Sequence, residues 1–293
     1  MSLSQPGILA DETLLARYMT FSIAGPEELS SRLAVLVERI DVSDTVVGFG
    51  QSLVMATGKQ ISGLRSFPAQ TGSTIDIPAT PAALWCWLRG KDRGEIFHRS
   101  RQLETLLAPC FVNDQIVDSF QYADCRDLSG YVDGTENPKG DDAIATAIVH
   151  GQGAGLDGGS YVAVQQWVHD FDSLDDMTQD ERDNTIGRRL ADNDELDGAP
   201  ESAHVKRTAQ ESFDPEAFIL RRSMPWADEC VAGLYFVAFG KSFNAYEALL
   251  DRMLGREDDI HDALFRFTRP VTGAYFWCPP VKEGRLDLSA LGC

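Results

Sequence analysis

Apolar positions in this chain follow two periods, 3.6 and 2, and switch between them at glycine and proline. Pro26-Glu27-Glu28 opens a predicted helix, since proline and two acids suit a helix N-terminus, and Leu29, Leu33, Leu36 and Ile40 then recur at helical spacing. Thr45–Gly50 (TVVGFG) reads as a short buried strand, and Ala83–Leu88 (ALWCWL) as an aromatic one. A helix follows at Arg93–Leu107, where Asp92 and Glu95 have the spacing of a capping box. Tyr131–Gly140 is turn-rich and polar. In the second half, Tyr161–Val168, Ala217–Arg221 and Ala232–Phe239 read as strands. Phe243–Leu254 reads as a helix with Phe243, Tyr246, Leu250 and Met253 along one face. A final strand pair is expected at Leu264–Phe267 and Thr272–Trp277. Asp170–Glu201 is acidic and poor in aliphatic residues, which predicts a long solvated excursion with a helix around Glu181–Leu190 and makes it a candidate ligand contact.

One unit occurs twice. An aromatic strand, a Gly-Lys turn and an amphipathic helix run through Leu84–Leu107 (LWCWLRGKD) and again through Leu234–Leu254 (LYFVAFGKS). The repetition predicts an α+β chain of two similar halves, each an antiparallel sheet with helices on one face. Glycines cluster between residues 138 and 157, which puts the boundary near there, with halves of 1–145 and 146–293.

Composition narrows the function classes. At 43% hydrophobic and 24% charged, the 293 residues have ordinary globular proportions. No apolar run approaches the ~20 residues of a spanning helix, so no membrane insertion is expected. The start MSLSQPGILADETLL lacks a basic region followed by an apolar core, so no secretory signal is expected. The six cysteines (Cys86, Cys110, Cys125, Cys230, Cys278, Cys293) form no C-x-x-C pair, which predicts free thiols and a cytoplasmic location. A net charge of −19 repels phosphate backbones and argues against nucleic acid; it favours neutral or cationic partners.

Several short motifs fail on context. Gly153-x-Gly155-x-x-Gly158 precedes a predicted strand instead of following one and opening a helix, so it does not read as a dinucleotide fingerprint. Asp192–Gly198 breaks the calcium-loop spacing and lacks its closing glutamate. His98, His150, His169 and His261 lie in polar stretches and are expected at the surface.

Three pieces remain. Gly130-Tyr131-Val132-Asp133-Gly134-Thr135-Glu136-Asn137-Pro138 brackets one aspartate with glycines, which suits a turn offering a carboxylate to a cavity. His204 follows the acidic excursion, and Arg221-Arg222-Ser223 ends an apolar strand. Singly these are a turn acid, a lone histidine and a solvated arginine. Together and in this order they resemble the dye-decolourising peroxidases, a heme-dependent family, and are closest to its compact bacterial cytoplasmic subgroup. The match rests on G-x-x-D-G with its GTENP extension, the downstream histidine, the R-x-S element and the closing segment Asp262–Gly273. It covers most of the chain from about Thr45.

The resemblance implies two ferredoxin-like halves forming a dimeric α+β barrel-like pair, with one heme b in the C-terminal half. It implies His204 as the axial ligand of the heme iron. Asp262 is the candidate acceptor for the other ring nitrogen, although a surface acid at a helix end is an equal reading. Asp133 would act as general base and then general acid on hydrogen peroxide, with Arg221 stabilising developing negative charge and activity best in acid. The R-x-S pattern selects Arg221 over Arg222 and puts Ser223 on the same strand face. Arg188, Arg207 and Arg222 are candidates for the heme propionates. Trp167, Trp226, Trp277 and Tyr131 are candidates for relaying electrons from organic donors such as dyes and phenols. The family also suggests a homo-oligomer. The alternatives are a non-catalytic heme-handling protein of the same fold, a heme-free α+β assembly protein and, distantly, a nucleotide-dependent oxidoreductase. The tail Leu286–Cys293 reads as a mobile end or a docking peptide.

Overall fold

A computed structural model describes residues 3–70 and 75–292; Cys293 lies outside the described residues. The core is one large antiparallel sheet built from β1 (Leu15–Ile23), β2 (Thr45–Phe49), β3 (Leu84–Gly90), β4 (Phe111–Phe120), β5 (Ser160–His169), β6 (Leu220–Arg221), β7 (Met224–Ala227), β8 (Ala232–Gly240), β9 (Thr268–Pro270) and β10 (Ala274–Cys278). Eight of these strands run in the order β4-β1-β3-β2-β10-β5-β8-β7, and β7 pairs back onto β4, closing a barrel-like ring. The protein is α+β.

Strand order repeats within the ring. Counting ring strands only, residues 15–120 contribute fourth-first-third-second (β4-β1-β3-β2), and residues 160–278 contribute the same order (β10-β5-β8-β7). The seams between the two sets are thin: one pair joins Phe49 to Trp277, and one joins Ser119 to Trp226.

Alternation along each strand builds two cores. Tyr18, Trp85, Trp87, Val162, Val164, Tyr235, Phe239 and Phe276 fill the barrel interior. Met19, Phe21, Phe49, Cys86, Tyr161, Tyr275 and Trp277 project outward and are covered by the helices Leu29–Arg39, Arg93–Leu107 and Asn244–Met253. In the first, Leu29, Leu33 and Leu36 are buried as the spacing requires. The second begins at Asp92, whose side chain accepts from the Glu95 amide; the reciprocal bond of a full capping box is not formed. In the third, Tyr246, Leu250 and Met253 are buried together, beside Phe243.

Some expected elements shift. The stretch expected as a strand at Leu264–Phe267 is a 3-10 turn, Ala263–Arg266, capped by the Asp262 side chain. The closing strands are β9 and β10. Ala217–Arg221 yields only the two-residue β6, and the helix expected at Glu181–Leu190 spans Gln179–Ile186 with a full capping box from Thr178 and Glu181. The glycines at 153, 155 and 158 have positive φ in turns leading into β5 and open no helix. Cys86, Cys110, Cys125, Cys230 and Cys278 are unpaired. Among the described residues, no helix is long and apolar enough to cross a membrane.

Candidate active site

A cavity of about 360 Å³ lies on the outer face of β5 and β8, beneath the helix Asn244–Met253. That volume falls in the range of small-molecule sites. Asp133, His204, Arg221 and Arg188 all line it.

Asp133 reaches the wall through backbone geometry. Gly130 and Gly134 have φ of +93° and +78°, a region that L side chains rarely adopt, so the two glycines allow the chain to turn sharply on both sides of the aspartate. The Asp133 amide donates to the Cys125 carbonyl at 3.0 Å. Its carboxylate forms an ion pair with Arg221 Nη1 at 3.2 Å and makes no side-chain hydrogen bond among the described residues. Asn137 joins the two segments: its Oδ1 accepts from the Arg221 amide at 2.9 Å, and its Nδ2 donates to the Arg221 carbonyl at 3.0 Å. This reciprocal pair spans 84 residues of sequence. Nothing in the sequence reading singled out Asn137; its place in GTENP was the only signal.

His204 opens a short helical turn, His204–Arg207. Its Nδ1 lies 2.7 Å from Asp262 Oδ2, and Asp262 Oδ1 accepts from the Leu264 amide at 2.8 Å. The Asp262 side chain is fully buried beside His204 and not exposed at the surface. A carboxylate only accepts, so Nδ1 carries a proton, and Nε2 has no hydrogen-bond partner among the described residues.

The remaining candidates divide. Arg188 lines the cavity but is already bonded to Glu136 Oε1 at 2.7 Å and the Asn193 carbonyl at 3.0 Å. Arg207 is buried and committed to Asp258 at 2.7 and 2.8 Å; it is not part of the cavity wall. Ser223 accepts from the Val237 amide at 3.3 Å and is absent from the cavity wall; it faces a small adjoining cleft that shares Asp133 and Arg221 with the cavity and also holds Arg222. The guanidinium of Arg222 donates to the carbonyls of Ile8, Leu9 and Arg221. Trp167 and Tyr131 line the cavity, whereas Trp226 and Trp277 are buried away from it.

His169, expected at the surface, is buried in the cavity wall. Its Nδ1 lies 2.7 Å from Thr268 Oγ1 and its Nε2 lies 2.9 and 3.1 Å from the Asp127 carboxylate. Burial pushes the Asp127 pKa up, but hydrogen bonds from His169 and Ser129 outweigh it, and the net direction is downward. His98, His150 and His261 are exposed as expected.

Residues 124–283 match the family model for the C-terminal region of Dyp-type peroxidases. The chain belongs to the Dyp-type peroxidase family. It is 29% identical to a dye-decolorizing peroxidase of Mycobacterium tuberculosis over 96% of this chain and 89% of that one. It is 31% identical to one from Rhodococcus erythropolis over 80% and 71% respectively. Among solved structures, the dye-decolorizing protein from V. cholerae matches at a TM-score of 0.83 with 26% identity, over 98% of both chains. A variant of DypB from Rhodococcus jostii RHA1, solved in complex with heme, matches at 0.83 with 26% identity, over 93% of this chain and 94% of that one. The protein is a DyP-type peroxidase, an enzyme whose cofactor is heme.

The cavity suits that group. It offers one imidazole nitrogen with no partner among the described residues and apolar walls from Ile219, Leu234, Phe236, Leu249 and Met253. The cationic Arg188 and Lys206, also in the wall, suit carboxylates. Two buried polar atoms in the wall, Gln165 Nε2 and Tyr246 OH, have no hydrogen-bond partner among the described residues.

Proposed function

We propose that the protein reduces hydrogen peroxide and oxidises organic one-electron donors, using heme b held by His204 with Asp133 and Arg221 as the acid–base and electrostatic pair. The observation that carries this reading is that one cavity is lined both by an imidazole whose outer nitrogen is anchored to Asp262 and by a carboxylate–guanidinium pair. Heme, when bound, supplies the iron that activates peroxide and stores its two oxidising equivalents.

The chain's own residues do the rest. Asp262 fixes the His204 tautomer and makes the imidazole a stronger electron donor. Asp133 accepts the proton of one peroxide oxygen and delivers it to the other, which leaves as water; such transfer contributes roughly 10²–10⁴-fold. Arg221 orients that carboxylate and stabilises negative charge as the O–O bond breaks. Asn137 holds the strand carrying Arg221 against the loop carrying Asp133. Arg188 and Lys206 are assigned to the propionates; Arg207, bound to Asp258, is left to anchoring the segment after His204. A heme carrier has no use for the Asp133–Arg221 pair, which favours the enzyme.

The wider parts of the reading have structural support as well. The identical ring order in residues 15–120 and 160–278 supports two ferredoxin-like halves, 1–145 and 146–293, with heme in the second. Unpaired cysteines fit a cytoplasmic location. Assembly as a homo-oligomer is checked by light scattering. The catalytic assignment is tested by stopped-flow mixing of heme-loaded protein with peroxide. Asp133→Asn and Arg221→Leu should retain heme while slowing the change in its absorption spectrum. Unchanged rates in both variants would remove the pair from the reaction.

A further inference from the structure

Both halves of the ring carry a hollow in the same architectural place. In residues 160–278 the active-site cavity is walled by Asn244–Met253, the helix after the third ring strand, and by the connection from the first to the second, which holds His204. In residues 15–120 a groove of about 700 Å³ is walled by the counterpart helix, Arg93–Leu107, and by the connection from β1 to β2, which holds the helix Leu29–Arg39. That volume also lies in the small-molecule range. Val35, Leu88, Leu103 and Leu106 give the groove an apolar lining. Its two acids are satisfied within the fold. Asp41 accepts from the Ser43 amide at 2.9 Å and from the Ser43 hydroxyl at 2.6 Å. Asp44 is ion-paired with Arg99 and accepts from Thr45 Oγ1 at 2.9 Å. Arg39 and Arg101 line the same groove, and among the described residues neither side chain makes a hydrogen bond or an ion pair. In a chain with 45 Asp and Glu against 26 Lys and Arg, two arginines left without a carboxylate beside one groove make a local positive field.

We propose that this groove is a second small-molecule site, which takes an organic anion with an aromatic body and a carboxylate or sulfonate head. The apolar lining receives the body, and Arg39 and Arg101 hold the head. A guanidinium only donates, its fork suits paired acidic oxygens, and its flat face stacks on aromatic rings, so it serves both parts of such a ligand. A chain of net charge −19 disfavours anions over its surface as a whole, and a groove whose own acids are already engaged is where that bias is reversed. The inference stands apart from the peroxidase reading, because the groove shares no residue with the active-site cavity.

The test is isothermal titration of the heme-loaded protein, whose first cavity is filled, with 2-naphthoate, 2-naphthalenesulfonate and the neutral 2-naphthylmethanol. Wild type should bind both anions roughly tenfold more tightly than the neutral compound, and less tightly as salt is raised. Arg39→Ala/Arg101→Ala changes two exposed side chains and should weaken both anions by roughly tenfold. Val35→Trp fills the groove from its helical wall and should weaken them with both arginines in place. Thermal melts like that of wild type establish that the variants fold. A wild type that binds neither anion, one that binds the neutral compound as tightly, or anion binding unchanged in both variants overturns the inference. So does a double variant that changes the mass measured by light scattering and leaves anion binding untouched, since the groove would then be a contact with a second copy of the chain.

Discussion

Asp262→Asn is the most informative single change, because it alters one atom that faces His204 and little else. Asp262 is fully buried and makes two bonds: Oδ2 to His204 Nδ1 at 2.7 Å, and Oδ1 to the Leu264 amide at 2.8 Å. An asparagine retains an oxygen for Leu264 but presents an NH₂ to Nδ1. Two donors then face each other, so the imidazole must move its proton to Nε2, and the lone pair that faces the cavity is lost. Loss of such an outer partner typically weakens metal-site affinity by roughly 10–100-fold, or about 1.4–2.7 kcal/mol. The apoprotein also loses a charge-assisted hydrogen bond, worth about 1.5–3 kcal/mol. Heme titration followed at the Soret band, with a thermal melt of the apoprotein, measures both quantities. A variant that binds heme as tightly as wild type, with an unshifted Soret band, would refute the claim that Asp262 sets the state of His204.

Three other outcomes follow. Asn137→Ala removes both bonds to the Arg221 backbone; at about 1 kcal/mol each it should lower stability by about 2 kcal/mol and slow the reaction with peroxide, and a variant with wild-type melting and rate would show that the clamp is idle. The Asp127 carboxyl is held below its ordinary range by hydrogen bonds that outweigh its burial, so its stabilising contribution is present above the ordinary carboxylate pKa and lost as pH falls through the depressed value; melts recorded from neutral to acid pH should therefore fall less steeply for Asp127→Asn, and parallel curves would contradict this. With a net charge of −19, turnover of an anionic dye should rise with added salt while that of a cationic dye falls, and matching salt profiles would exclude a role for the surface field.

The helices and most ring strands were legible because their faces carry a clean period. Two strands were not. β1 (LARYMTFSI) is buried on both faces for much of its length, so it shows no alternation. β4 (FVNDQIVDSF) is largely polar because it meets β7 through one residue pair and leaves much of its length open to solvent. Asp133, His204 and Arg221 could be picked out because each stands in a short motif whose order is informative. His169 could not: local polarity suggested exposure, but its partners Asp127 and Thr268 lie 42 and 99 residues away and bury it. The same distance problem hid Asn137, whose role depends on Arg221. Arg207 looked like a cavity residue because it follows His204 closely, yet one helical turn directs it to Asp258 instead.

The central claim is that His204 ties heme into this cavity. It is tested most directly by the absorption spectrum of His204→Ala after heme addition, alongside wild type. The account predicts a Soret band in wild type that is lost or strongly shifted and weakened in the variant. A variant spectrum identical to wild type would contradict it.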